Sequence, residues 1–359
     1  MSLCMEVART PLISRRAHRY VPRLAAPVFA FFLSVIFSGE ASAHVKWFCA
    51  FNVAGQPRGL EKVLCSEFEL LVGLAMLSLA AGCLLEGTAV GDALQRALNW
   101  ITSGLQSNTE ILIRVVCGFF FVALWTTGGI LLTPELKTTS AAISWLQLAI
   151  AAGLIWRRTM PLSATGIAVL FALAVRDYGV FHLVDYPIFL GVAAYLALTG
   201  LQRDLFGVRA LDVVRYAAAT TLMWASIEKW AYPEWSFPLF IEHPAITLGF
   251  DDEFIMRAAG VIEFTLAFAL VWTPLVRRSA AIILAGMFVG AVFDFGKIDL
   301  IGHAPIVAVL LAIGADNAAA TNQPRRFVLA APAAYCVALA GFLTMYYVVH
   351  ATLFGTKIL

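Results

Sequence analysis

Ten apolar runs separated by short polar connections decide what this chain can fold into. They cover roughly residues 68–85, 111–133, 141–156, 160–175, 187–201, 212–231, 254–275, 279–296, 303–315 and 327–350. Runs of this kind read as membrane spans, because a helix satisfies its own backbone polar groups where lipid cannot. With 61% hydrophobic and 13% charged residues, the chain is excluded from ordinary soluble domains, in which about a quarter of the residues are charged. The expected fold is an all-α polytopic transmembrane bundle, with the lipid bilayer as its first partner. A formal charge of +2 without a basic or acidic tail gives no reason to expect a nucleic-acid partner.

Residues 1–43 carry the pattern of a secretory signal peptide. Arg9, Arg15, Arg16, Arg19 and Arg23 precede an apolar stretch from Leu24 to Phe37, and Ala41-Ser42-Ala43 then supplies an A-x-A cleavage site. Cleavage there would make His44 the mature N-terminus and leave an exported segment over 44–67. A first span with its cytoplasmic connection follows (68–110), then a four-helix unit (111–203), a second (204–316) and a C-terminal span (317–359).

The arginines set the orientation. Arg157-Arg158, Arg203 with Arg209 and Arg215, Arg277-Arg278 and Arg325-Arg326 fall in alternate connections, which the positive-inside rule assigns to the cytoplasm. The expected location is a bacterial inner membrane, with the exported segment and the C-terminus both periplasmic.

Two stretches read nearly alike, Asp177-Tyr-Gly-Val-Phe-His182-Leu-Val-Asp185-Tyr-Pro187 and Asp294-Phe-Gly-Lys-Ile-Asp299-Leu-Ile-Gly-His303-Ala-Pro305. Upstream, Gln147 to Trp156 matches Glu263 to Trp272, each followed by an arginine pair. Spans two to five and six to nine are therefore expected to be parallel repeats related by an axis along the membrane normal. Gly286 and Gly290 would permit close helix contact in the eighth span.

Chemistry is expected at the outer mouth. Glu263 sits near the middle of its span, where a carboxylate must be protonated, paired or facing a polar cavity; Arg257 and Lys229 are its candidate partners. Asp177 and Asp294 end apolar runs and are expected to face the bundle interior. Glu263, Asp294, Lys229 and Asp177 are thus the catalytic candidates. Trp230, Tyr232 and Lys297 are the cofactor-binding candidates, the two rings suiting either a membrane-interface belt or a planar ligand. A mature His44 could bind copper through its amine and imidazole, with His243, His303 or His182 adding a nitrogen. Cys49 and Cys65 flank the exported segment and could form a disulfide. There is no C-x-x-C, no zinc spacing, no phosphate loop and no nucleophile elbow.

The second unit, through Glu228-Lys229-Trp230, Glu263, Arg277-Arg278 and the Asp294–His303 motif, resembles the four-helix DoxX-like membrane family. The resemblance covers spans six to nine, with an echo in spans two to five. It implies quinone-linked oxidation, including thiosulfate to quinone, and a polar interior lined by Glu263, Lys229 and Asp294. Three functional expectations follow. They are a quinone-linked oxidoreductase subunit with a redox partner in the membrane or periplasm, a copper-binding or transport protein, and a non-catalytic assembly scaffold.

Overall fold

The computed structural model describes Lys46, residues 49–317 and residues 330–358. The signal-peptide reading of 1–43, His44 and Arg325-Arg326 lie outside the described residues, as does the side chain of Asp294. The described residues are helical and carry no strand, apart from two isolated bridges in loops.

Each of the ten apolar runs coincides with a helix. The main helices are α1 (Ser66–Leu85), α2 (Ala89–Gln106), α3 (Thr109–Thr127), α4 (Ala141–Gly153), α5 (Met160–Tyr178), α6 (Pro187–Leu201), α7 (Ala210–Ala231) and α8 (Asp252–Ala269). A long helical stretch from Pro274 to Ala315 breaks at Gly296 and is treated as α9 (Pro274–Phe293) and α10 (Phe295–Ala315). α11 is Ala331–Phe354. Six of these, α1, α3, α5, α9, α10 and α11, are long and apolar enough to cross a membrane. α4 and α6 are shorter, and α7 and α8 carry several charges, of which Glu228, Lys229 and Glu263 belong to the site.

α2 lies where the sequence reading placed a plain connection. Thr88 caps it by accepting from the Gly91 amide at 3.1 Å. Its polar face turns inward, where the buried Arg278 guanidinium donates to Gln95 (2.7 Å), Asn99 (2.9 Å) and Thr102 (3.3 Å). Val90, Leu94, Trp100 and Ile101 point outward, with Trp100 80% exposed. A helix that hides its polar face and exposes its apolar one suits a membrane interface rather than water.

Three local geometries occur once in α3–α6 and again in α7–α10. Arg114 on α3 donates to the carbonyl of Leu154, which caps α4, at 3.0 Å; Arg215 on α7 donates to that of Leu270, which caps α8, at 3.2 Å. Each cation thereby meets carbonyls that a helix end leaves unpaired. Next, Gly179 (φ 85°, ψ 157°) follows α5 and Gly296 (φ 74°, ψ −150°) follows α9. This backbone region is essentially restricted to glycine, and it folds each helix back on its successor. Lastly, Gly200 at the end of α6 packs on Pro161 and the Arg157 carbonyl, and Gly314 at the end of α10 packs on Ile282 while its carbonyl accepts from Arg278 at 2.8 Å. Arg278 and Gly314 are equidistant in sequence from Gly296, so α9 and α10 are an antiparallel hairpin. The two sets meet at α6–α7, where Gly191 lets α6 approach Val214 and Ala217. Gly286 and Gly290, by contrast, face open space and mediate no close contact.

The interiors of the two sets differ. In the first, the loop after α3 turns inward and buries Leu131, Leu132 and Leu136 completely. Gln147 on α4 fixes it by donating to the carbonyls of Ile130 (2.7 Å) and Leu131 (3.1 Å). Glu263 occupies the matching place on α8, and no such loop fills the space before it.

Candidate functional site

A cavity of about 350 Å³ occupies that space, walled by α6–α10 and by the segment after α7. Its surface is mostly apolar, with Leu284, Met287, Phe288 and Ile306 on one side and Trp235 and Phe240 on another. Polar groups enter it as acid–base sets. One is Lys229–Glu263, at 2.6 Å between α7 and α8. Glu263 is thus paired with Lys229 alone of its two candidate partners, since Arg257 binds Glu67 and Glu253 instead. A second is Asp299–His303, 3.0 Å apart within one turn of α10.

The third set is built on a lysine that no sequence pattern marks. Lys46 reaches in from the N-terminal segment, is 5% exposed, and ion-pairs with Asp185 and, at 2.6 Å, with Glu228. Its ammonium also stands 5.9 Å from the Phe51 ring and 5.8 Å from that of Trp235, within cation–π range. Burial alone would lower the proton affinity of Lys46, but the Asp185 and Glu228 carboxylates outweigh it and raise its pKa well above the usual lysine range. A raised lysine pKa stabilises the fold fully below the unfolded value near ~10.4 and loses that contribution only as pH climbs through the folded value. The two carboxylates in contact with it thus favour the charged ammonium.

The described residues that follow Lys46 are clamped at Gly55 and Arg58. Tyr232 donates to the Gly55 carbonyl at 2.8 Å, and the Arg58 amide to Ala231 at 2.8 Å. The Arg58 guanidinium grips Glu253 through two bonds of 2.9 and 3.1 Å. Tyr347 of α11 donates to the Arg58 carbonyl at 2.7 Å. Tyr232 in turn stacks on Trp235 with ring centres 4.1 Å apart.

No protein-family model, curated protein or solved structure matches this chain. The functional reading accordingly rests on the site itself.

Behind Asp185 lies a further buried group. Glu135 accepts from Thr133 at 2.8 Å and from the Tyr186 hydroxyl, with His182 at 3.8 Å. Burial favours its protonated form, but the nearby His182 and the bonds donated by Tyr186 and Thr133 prevail and hold its pKa below the usual carboxylate value. The Ile188 amide donates to Thr221 of α7 at 2.9 Å, fixing the Asp185–Tyr186 corner against the cavity. Both copies of the repeated motif thus feed one cavity, Asp185 and Tyr186 from the first and Asp299 and His303 from the second.

Several sequence expectations are revised. Asp177 is on the surface, bound by its neighbour Arg176 at 2.7 and 3.1 Å; the adjacent guanidinium neutralises it outside, so it has no need of the interior. Trp230 is packed away from the cavity, its indole N–H donating to the Arg257 carbonyl at 3.1 Å and its ring set against Phe68. Lys297 is half-buried and does not line the cavity, whereas Tyr232 does. His243 sits against the Phe295 ring at 5.3 Å and His303 against Phe288 at 4.6 Å. Among the described residues no group of three or more His, Cys, Asp or Glu side chains is arranged to hold a metal ion. Cys49 and Cys65 are free thiols.

Proposed function

We propose that the chain is a DoxX-like, quinone-linked oxidoreductase subunit of a bacterial inner membrane, and that the cavity between α6 and α10 is its quinone site. The observation that carries this reading is the pairing of an apolar pocket of about 350 Å³ with three acid–base sets inside a bundle of apolar helices. Such a pocket suits a lipophilic molecule with a small polar head, and ionisable groups at that depth are costly, pair with one another and mark ligand or proton pathways. Lys229 would hold a head-group oxygen, while Glu263 and the Asp299–His303 pair would exchange protons with it.

The recurrence of the arginine–carbonyl contact, the glycine break and the glycine packing supports a duplicated four-helix unit. In that scheme the first copy has closed its own interior with the Leu131–Leu136 loop and contributes only its motif to the second. The arginine distribution supports a periplasmic mouth.

Intrinsic fluorescence of the purified protein tests the site, because Trp235 and Tyr232 form part of its wall. Titration with decylubiquinone is expected to quench emission saturably, and Trp235→Phe to remove a large part of that quench. Quenching that rises linearly with detergent-phase quinone, and is the same in Trp235→Phe, would contradict the assignment.

A further inference from the structure

Among the described residues, the wall of the cavity is unevenly buried. Toward the N-terminal segment and the stretch after α7 it is closed, with Lys46, Asp185, Tyr232, Leu239 and Phe240 each no more than 8% exposed. On the α8–α9 side it is open. There Ile255, Ala259 and Glu263 of α8 and Ala291 of α9 are half-buried, and Met287 of α9 is 39% exposed.

Helical spacing shows where that side leads. Glu263 lines the cavity, while its neighbour Ile262 is 49% exposed on the outer surface of α8. On α9, Leu284 lines the cavity and its neighbour Ile283 is 51% exposed. Successive helical positions are turned by about 100°, so each helix presents an edge between its cavity face and its outer face. Ile255 and Ala259 form that edge on α8, and Met287 forms it on α9. Helices in contact would bury these side chains, and here they are not buried. Glu263 lies about 16 Å along α8 from its first residue, Asp252, and the other four side chains at the gap are apolar. The opening therefore faces the hydrocarbon layer rather than the outer aqueous surface.

We infer that the gap between α8 and α9 is a portal to the bilayer, through which the ligand enters and in which its apolar tail remains while its head group reaches Lys229 and the Asp299–His303 pair. This inference rests on the quinone reading and narrows the substrate class to molecules held in the membrane by a tail. A phospholipid acyl chain alone would fill the gap but bring no polar partner to the acid–base sets within. A small polar molecule from the aqueous side would meet the closed wall around Lys46 and Tyr232.

The test uses a ubiquinone analogue with a diazirine at the far end of a decyl tail, photolysed with the full-length protein in liposomes and mapped by mass. Label is expected on α8 between Ile255 and Glu263 and on α9 between Ile283 and Ala291, and it should be lost when excess decylubiquinone is present. Label on the stretches from Phe51 to Arg58 and from Ser236 to Ile246, with none on α8 or α9, would overturn the portal and leave the quinone site standing. Label on α8 and α9 that excess decylubiquinone does not displace would mark contact with lipid-phase probe alone, and would overturn the portal as well. A parallel sample with the azide on the quinone ring separates the two readings. If the ring probe also fails to label the Tyr232–Phe240 stretch, the quinone reading falls and the inference falls with it.

Discussion

Replacing Lys46 with methionine is expected to destabilise the protein by about 3–5 kcal/mol, the usual cost of removing one partner from a buried ion pair. The ammonium is buried between Asp185 and Glu228, so the substitution leaves two carboxylates facing each other in the bundle. Thermal unfolding in detergent should show the loss as a lowered midpoint. The same measurement has an internal control. Lys46→Met combined with Asp185→Asn and Glu228→Gln removes all three charges and should recover most of the midpoint, because eliminating a buried charge set costs far less than breaking it. A midpoint unchanged by Lys46→Met would show that the lysine is not seated between the two acids.

On the proposed quinone reading, Glu263→Gln is expected to lower quinone-linked turnover by at least about 100-fold, the lower end of what a positioned proton-transfer group contributes. Turnover would be followed as quinone reduction, with thiosulfate as the donor that the DoxX-like resemblance implies. Glutamine keeps the size of the side chain and can still accept from Lys229, so quinone affinity should change by no more than a few fold. A loss of turnover with retained binding separates proton handling from a packing role, and an unchanged turnover would remove Glu263 from the mechanism.

Much of the architecture is legible in the sequence because lipid leaves the backbone so few options. The apolar runs locate the helices, and their charged interruptions locate the site, since Glu228, Lys229 and Glu263 all prove to surround one cavity. The repeated motif also identifies a real structural device, as Gly179 and Gly296 both break the helix two residues after an aspartate. Side-chain direction was harder to read. Asp177 ends an apolar run as Asp294 does, but Arg176 beside it provides a partner at the surface, and that neighbour was the available signal. Trp230 and Tyr232 are two residues apart, yet one packs between helices and the other lines the cavity, because α7 ends between them. α2 was read as a connection because its apolar residues are spaced for one face of a helix rather than clustered into a run. Lys46 gave the weakest signal of all. A single lysine in a polar segment carries no local mark of burial, and only the fold shows that Asp185 and Glu228 converge on it. The inward loop that carries Glu135 was likewise invisible, since its apolar residues blend into the end of the preceding span.

The central claim is that one cavity, built from both motif copies and closed by the segment that bears Lys46, receives a quinone. Photolabelling with an azidoquinone, followed by mass mapping of the modified peptides, tests it most directly. The account predicts label on the stretch from Tyr232 to Phe240 and on that from Phe288 to Ile306, displaced by excess decylubiquinone. Label confined to the outward-facing residues of α1 and α2, and not displaced, would contradict it.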